Sequence, residues 1–239
     1  MKMSELKLPE GVRIHEAKSA GQLAQDLARD VAALLADRLA RAERASLVVS
    51  GGSTPVPFFQ ALSLAELDWS RVDVTLADER WVPEGDPASN TTLVRRHLLR
   101  NRAASARYLP LKQPGETPEQ GLAAVREVLS ELTRPIEVLV LGMGNDGHTA
   151  SLFPDAPELL EALAAGTPAP VAAMTPASQP QRRVTLTYPI LGEARHTLLH
   201  LKGHDKLETL ARALAHPGEV AEMPIRAFLK PGLAVYWSP

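Results

Sequence analysis

The sequence predicts an α/β fold of three layers, a Rossmann-like arrangement in which a mainly parallel sheet is flanked by helices. Three observations carry this reading. Short apolar runs, SLVVS at 46–50 and IEVLVL at 136–141, have the length and continuity of strands buried on both faces. Stretches with helical periodicity lie between such runs, and strands alternating with helices build parallel βαβ units. The chain has 239 residues and is 45% hydrophobic, enough for one sizeable core, so a single domain over residues 1–239 is expected.

The elements follow in order. Leu23, Leu27, Val31, Leu34, Leu35 and Leu39 recur at helical spacing, which predicts a helix over 19–44 capped by Ser19. The run at 46–50 is a strand stopped by Gly51-Gly52. VDVTLA at 72–77 is the next strand. A helix is expected over 91–99 with Asn90 as its cap. A stronger one is expected over 117–132, where Thr117 and Gln120 have capping-box spacing and Pro118 takes the first helical position. Residues 136–141 form the clearest buried strand. Further strands are expected at 183–187, 197–201 and 233–237, and a helix at 205–215.

Composition excludes several functions. The net charge is −2, so no basic field exists to attract nucleic acid. There is no cysteine, which removes disulfides, thiolate nucleophiles and cysteine-based zinc sites. Residues 1–20 mix Lys, Glu, Pro and His and lack the apolar core of a signal peptide. No apolar run is long enough to span a bilayer. A cytoplasmic protein with no membrane partner is expected.

In parallel sheets ligands bind beyond the carboxyl ends of the strands. That rule selects three loops. The first is Ser50-Gly51-Gly52-Ser53-Thr54-Pro55. Its glycines let backbone N–H groups approach an anion, Ser53 and Thr54 add hydroxyls, and Pro55 can open a helix. The same residues also suit an ordinary strand-to-helix turn, and the loop alone does not separate the two. No Gly-Lys-Ser/Thr follows, so nucleoside triphosphates are disfavoured. The second loop begins Asp78-Glu79-Arg80-Trp81-Val82-Pro83 and continues to Ser89-Asn90. Its three charges suit either a surface salt bridge or a site with Asp78 in proton transfer or orientation and Arg80 on an anion. The third runs from Gly142 to Pro154 as GMGNDGHTASLFP. Gly142, Gly144 and Gly147 give a formal G-x-G-x-x-G. It lies on a late strand, and no acid follows near 171–175 to hold a ribose, so a dinucleotide site is rejected. Asp146 and His148 together on a glycine-rich strand end can supply a base and the partner that orients it. His196, His200 and His204 are spaced by four, but 197–201 reads as a strand, so structural or surface roles are expected rather than a metal face.

Taken together, these loops resemble those of the 6-phosphogluconolactonases. The matching stretches are SGGSTP at 50–55, DERWVP at 78–83 with Ser89-Asn90, and GMGNDGHTASLFP at 142–154, joined by RVTLT at 183–187 and the Lys-Gly-x-x-Lys segment ending at Lys206. The resemblance covers nearly the whole chain, in order. The family is similar in fold to the glucosamine-6-phosphate deaminases, which makes a deaminase or sugar-phosphate isomerase the nearest alternative. The deaminases follow NDGH with an Asn-Glu-Pro segment and carry Tyr after Asp-Glu. Here Ser151-Leu152-Phe153-Pro154 has no acid, and Arg80 stands in place of the Tyr. Both departures favour the lactonase. A non-enzymatic sugar-phosphate sensor would not need Asp146 and His148, and would bring a second module for which little length remains.

The resemblance implies hydrolysis of 6-phospho-D-glucono-1,5-lactone. In that reading His148 takes a proton from the attacking water and Asp146 holds the imidazole. Asp78 is either catalytic or orienting. Substrate is held by Gly51, Gly52, Ser53, Thr54, Arg80, Gly144, Arg183 and Lys206, with the division of cations between phosphate and sugar left open. No metal and no organic cofactor are implied, although Asp78 reaching Asp146 and His148 would make a three-ligand site. The expected partner is the small phosphorylated sugar alone, with the protein a monomer or weak homodimer.

Overall fold

A computed structural model describes residues 3–239. The first two residues of the 1–20 stretch lie outside it. The strands are β1 Arg13–Glu16, β2 Ala45–Val49, β3 Val72–Leu76, β4 Asp78–Arg80, β5 Arg107–Tyr108, β6 Val138–Leu141, β7 Val171–Met174, β8 Arg183–Leu186, β9 His196–Lys202 and β10 Leu233–Ser238. The α-helices are α1 Ala20–Leu39, α2 Val56–Leu62, α3 Asn90–His97, α4 Pro118–Ser130, α5 Leu159–Leu163, α6 Tyr188–Gly192 and α7 His204–Ala215.

Seven strands form one sheet in the order β1-β10-β9-β6-β2-β3-β5, and every pairing in it is parallel. Strands β2, β3 and β6 are buried at every position, as their continuous apolar runs require. Helix α1 packs on α2 and lies across β2, β6 and β10. Its buried residues, Leu23, Leu27, Val31, Leu35 and Leu39 among them, form one stripe. Strand β1 escapes sequence pattern because Arg-Ile-His-Glu offers one apolar residue at a half-exposed edge.

Several boundaries differ from expectation for identifiable reasons. Helix α1 is capped by Ser19, whose hydroxyl accepts from the Gln22 N–H, but it stops at Leu39. There the Arg71 guanidinium takes the carbonyls of Leu39, Ala42 and Glu43, satisfying the helix end from about thirty residues away. Helix α3 is capped by Ser89, not Asn90, and the Ser89 hydroxyl accepts from the Thr92 N–H at 3.1 Å. Thr117 caps α4 by position only. Gln120 instead accepts from the Glu116 N–H.

The larger correction concerns the second sheet. Asp78–Arg80 is not loop but strand β4, and β8 is not a strand of the parallel sheet. The two pair antiparallel, with Asp78 opposite Thr185 and Arg80 opposite Arg183, and β7 completes a sheet in the order β4-β8-β7. The ladder continues through the Trp81 N–H to the Arg182 carbonyl. Three charges in a row conceal a strand whose backbone bonds come from a hundred residues away.

Candidate active site

The main sheet reverses its strand order between β6 and β2, which pair with Val49 opposite Val140. From β2 the chain proceeds outward to β3, and from β6 it proceeds the other way to β9 and β10. Their following loops therefore diverge, opening a crevice at the carboxyl ends. A cleft of about 240 Å³ lies there. All the expected site residues line it except Ser53, which is exposed on the outer side of its loop, and Asp146, which stands behind His148.

The third loop is built around the imidazole. His148 Nδ1 lies 2.6 Å from Asp146 Oδ1, and the His148 backbone N–H donates to the same oxygen at 3.0 Å. The ring lies against Phe153, with centroids 4.0 Å apart and planes 22° from parallel. Gly144 makes this possible: a Cβ there would stand 2.2 Å from the imidazole and 2.6 Å from Asp146 Oδ1. The Gly144 N–H is spent on the His148 carbonyl at 2.9 Å, so this glycine gives space rather than a donor. Burial would raise the Asp146 pKa, but hydrogen bonds from the His148 ring and backbone outweigh it and hold the carboxyl below its ordinary value. Asp146 is thus an anion fixed at the Nδ1 edge of the imidazole, whose face is covered by Phe153.

Strand β4 alternates. Asp78 and Arg80 line the cleft, while Glu79 points away. Asp78 is buried. Its Oδ2 accepts from the Ser151 hydroxyl at 2.5 Å and stands 3.8 Å from the Arg183 guanidinium. Arg183 is also buried, reaches Gln179 at 3.0 Å and sits over the Phe153 ring at 4.9 Å. Phe153 is therefore a shared neighbour of Arg183 and His148. Arg80 does not form the salt bridge with Glu79 or Asp78 that a surface loop would show. Its guanidinium donates to the Ala88 carbonyl, and its Nε is buried without a partner, as is the Nε of Arg183.

In the first loop, Asn90 crosses Gly51 so closely that a Cβ on Gly51 would stand 2.0 Å from the Asn90 side-chain oxygen. Among the described residues the N–H groups of Gly51, Gly52, Ser53 and Thr54 take no acceptor within the chain. Unpartnered amides at a cleft mark a place for an anion. Across the mouth, Lys206 on α7 donates to the Asn145 side chain at 2.5 Å. Lys202, at the end of β9, also lines the cleft.

Sequence reasoning missed Ser151, Phe153 and Lys202 as site residues and read Asn90 only as a cap. The first two follow His148 closely, and that proximity was the available signal. His200 lies on the cleft floor against Phe58, and burial pushes its pKa down to about 4, so it is neutral near pH 7. His196 shares β9 with it and His204 begins α7, where it packs on Trp237. Among the described residues, no three His, Asp or Glu side chains converge as metal ligands.

Fold and site define an α/β protein with a strand-end cleft for a small anionic ligand. The chain belongs to the family described as glucosamine-6-phosphate isomerases/6-phosphogluconolactonase, whose model matches residues 18–237. It is 49% identical to a 6-phosphogluconolactonase of Pseudomonas aeruginosa over the full length of both chains. The crystal structure of a 6-phosphogluconolactonase from Shewanella baltica superposes with a TM-score of 0.93 at 43% identity, covering 98% of this chain and 100% of that one. A monomeric glucosamine-6-phosphate deaminase shares the fold, with a TM-score of 0.76 at 17% identity over 95% of this chain and 97% of that one.

Proposed function

We propose that the chain hydrolyses 6-phospho-D-glucono-1,5-lactone to 6-phospho-D-gluconate, the lactonase step of the oxidative pentose phosphate pathway, with His148 as general base. The observation that carries the mechanism is the 2.6 Å contact of His148 Nδ1 with the Asp146 carboxylate at the wall of the cleft. A carboxylate on Nδ1 keeps the proton there and leaves the Nε2 lone pair to accept one. Nε2 takes a proton from water as its oxygen attacks the lactone carbonyl, and the imidazolium returns that proton to the ring oxygen as its bond to the carbonyl carbon breaks, giving the hydroxyl and the carboxylic acid, which ionises. Asp146 stabilises the imidazolium formed in between.

The free N–H groups of the Gly51–Thr54 loop, with Lys206, Arg80 and Arg183 around the cleft, support a phosphate seat there. Asp78 is the orienting group in this reading, because its carboxylate is held by Ser151 and Arg183. Residues 1–239 act as one domain, in the cytoplasm, on a free small molecule and without nucleic acid, as a monomer or weak homodimer. The net charge of −2 supports the lack of a nucleic-acid partner, and among the described residues no helix is long and apolar enough to cross a membrane. A product assay decides the activity. Phosphogluconolactone is hydrolysed above its spontaneous rate, and glucosamine 6-phosphate releases no ammonia. The reverse result would make the chain a deaminase.

A further inference from the structure

Glu79 has no place in the chemistry above, yet it is a carboxylate with no exposed surface, directly behind the cleft. Its Oε1 accepts from the backbone N–H groups of Arg80 and Asn90, both at 2.8 Å, and its Oε2 accepts from the Thr91 N–H at 2.7 Å. Among the described residues no cation makes a salt bridge to it, although Lys112 and Arg183 lie close enough to feel its charge. Two of its three backbone donors belong to the first turn of α3, whose Thr91 hydroxyl adds a further hydrogen bond, and there a negative charge meets the positive end of the helix dipole. The third belongs to Arg80, whose side chain lines the cleft. Burial works against this charge and raises the Glu79 pKa despite these donors. A carboxylate retained under that cost, on donors from two elements, joins them.

The consequence reaches both walls through Asn90. Held by Glu79 at its backbone, Asn90 turns its side chain back over the cleft. Its Nδ2 donates to the Asp78 carbonyl at 3.1 Å, and its other face rests on Gly51, where no side chain would fit. The path Glu79–Asn90 thus ties β4, which carries Asp78 and Arg80, to the Gly51–Thr54 loop. We infer that Glu79 is a positioning residue. Through Asn90 it sets the distance between the anion loop and the strand bearing Asp78 and Arg80, and so sets affinity for the phosphorylated lactone.

This inference rests on the lactonase reading, and the test separates the two. Glu79→Gln keeps the shape but turns an amide N–H₂ toward a backbone N–H, so one donor loses its acceptor. Asn90→Ala keeps the Glu79 carboxylate and all three backbone donors and removes only the link to Asp78 and Gly51. Both variants are assayed as full chains with wild type alongside, on the phosphorylated lactone. In each, kcat/KM falls about ten- to a hundredfold, mostly as a rise in KM with kcat within about threefold of wild type. A role in folding alone would lower Tm and yield while leaving KM of the folded protein unchanged, and that result overturns the inference. If Glu79→Gln does not fold, Asn90→Ala decides: wild-type KM there overturns the inference and a raised KM supports it. A wild-type chain that does not hydrolyse the lactone defeats the functional reading instead.

Discussion

The ring of Phe153 is shared, with His148 stacked at 4.0 Å between centroids and Arg183 lying over it at 4.9 Å. Phe153 is 1% exposed and cannot shift without opening the core. The imidazole is therefore fixed in plane by packing and in rotation by the bond from Nδ1 to Asp146. An imidazole held in two independent ways is already oriented before any ligand arrives.

His148→Ala is expected to lower kcat by roughly a hundred- to ten-thousandfold while product still binds. Calorimetry with 6-phosphogluconate checks binding, and lactone hydrolysis above background checks turnover. A folded variant with near-normal kcat would remove His148 from the mechanism.

Lys206→Ala is expected to raise KM for the phosphorylated lactone. Loss of a charge-assisted contact is worth about 1.5–3 kcal/mol, or roughly ten- to a hundred-and-fiftyfold. Arg183→Ala should show the same loss and also a lower Tm, because it leaves buried Asp78 without its cation. The control is the unphosphorylated lactone. Equal losses on both substrates would show that the residue does not read phosphate.

Acid stability should depend on Asp73, at the far end of the sheet from the cleft. Burial alone would raise its pKa, but Arg107, Arg44 and Thr133 donate to its carboxylate and bring it down to about 2. A depressed folded pKa stabilises above the unfolded value of about 3.9 and ceases to do so as pH falls toward 2. At pH 7 the effect is on the order of 2.5 kcal/mol. The Tm gap between wild type and Asp73→Asn should be wide at pH 7 and narrow clearly by pH 3. A gap that is constant between those values would show that the pairing does not govern acid stability.

Lactone hydrolysis is expected to survive exhaustive chelation. Asp78 is turned toward Ser151 and Arg183 rather than toward His148 and Asp146, so the three do not make a ligand set. Catalytic zinc takes three protein ligands and a water. Activity measured after metal removal, verified by elemental analysis, tests this. Loss that is restored by zinc or manganese would recast His148 as a ligand.

The sequence by itself determined the features that depend on neighbours along the chain. Apolar runs marked β2, β3 and β6, because a strand buried on both faces must be apolar nearly throughout. The rule that ligands sit at strand ends then located the loops. Asp146 and His148, two residues apart, meet through local turn geometry that Gly144 permits, so their partnership was legible. Tertiary structure alone decided what depends on register and on distant donors. Asp78 finds Ser151 across 73 residues, Arg71 ends α1 from beyond the next strand, and Asp78–Arg80 becomes a strand only because β8 arrives to pair with it. Glu79 shows the reason most directly. A charged residue between two charges reads as solvated, since an ion is buried only where donors are already arranged for it. Those donors exist only once α3 is packed behind β4.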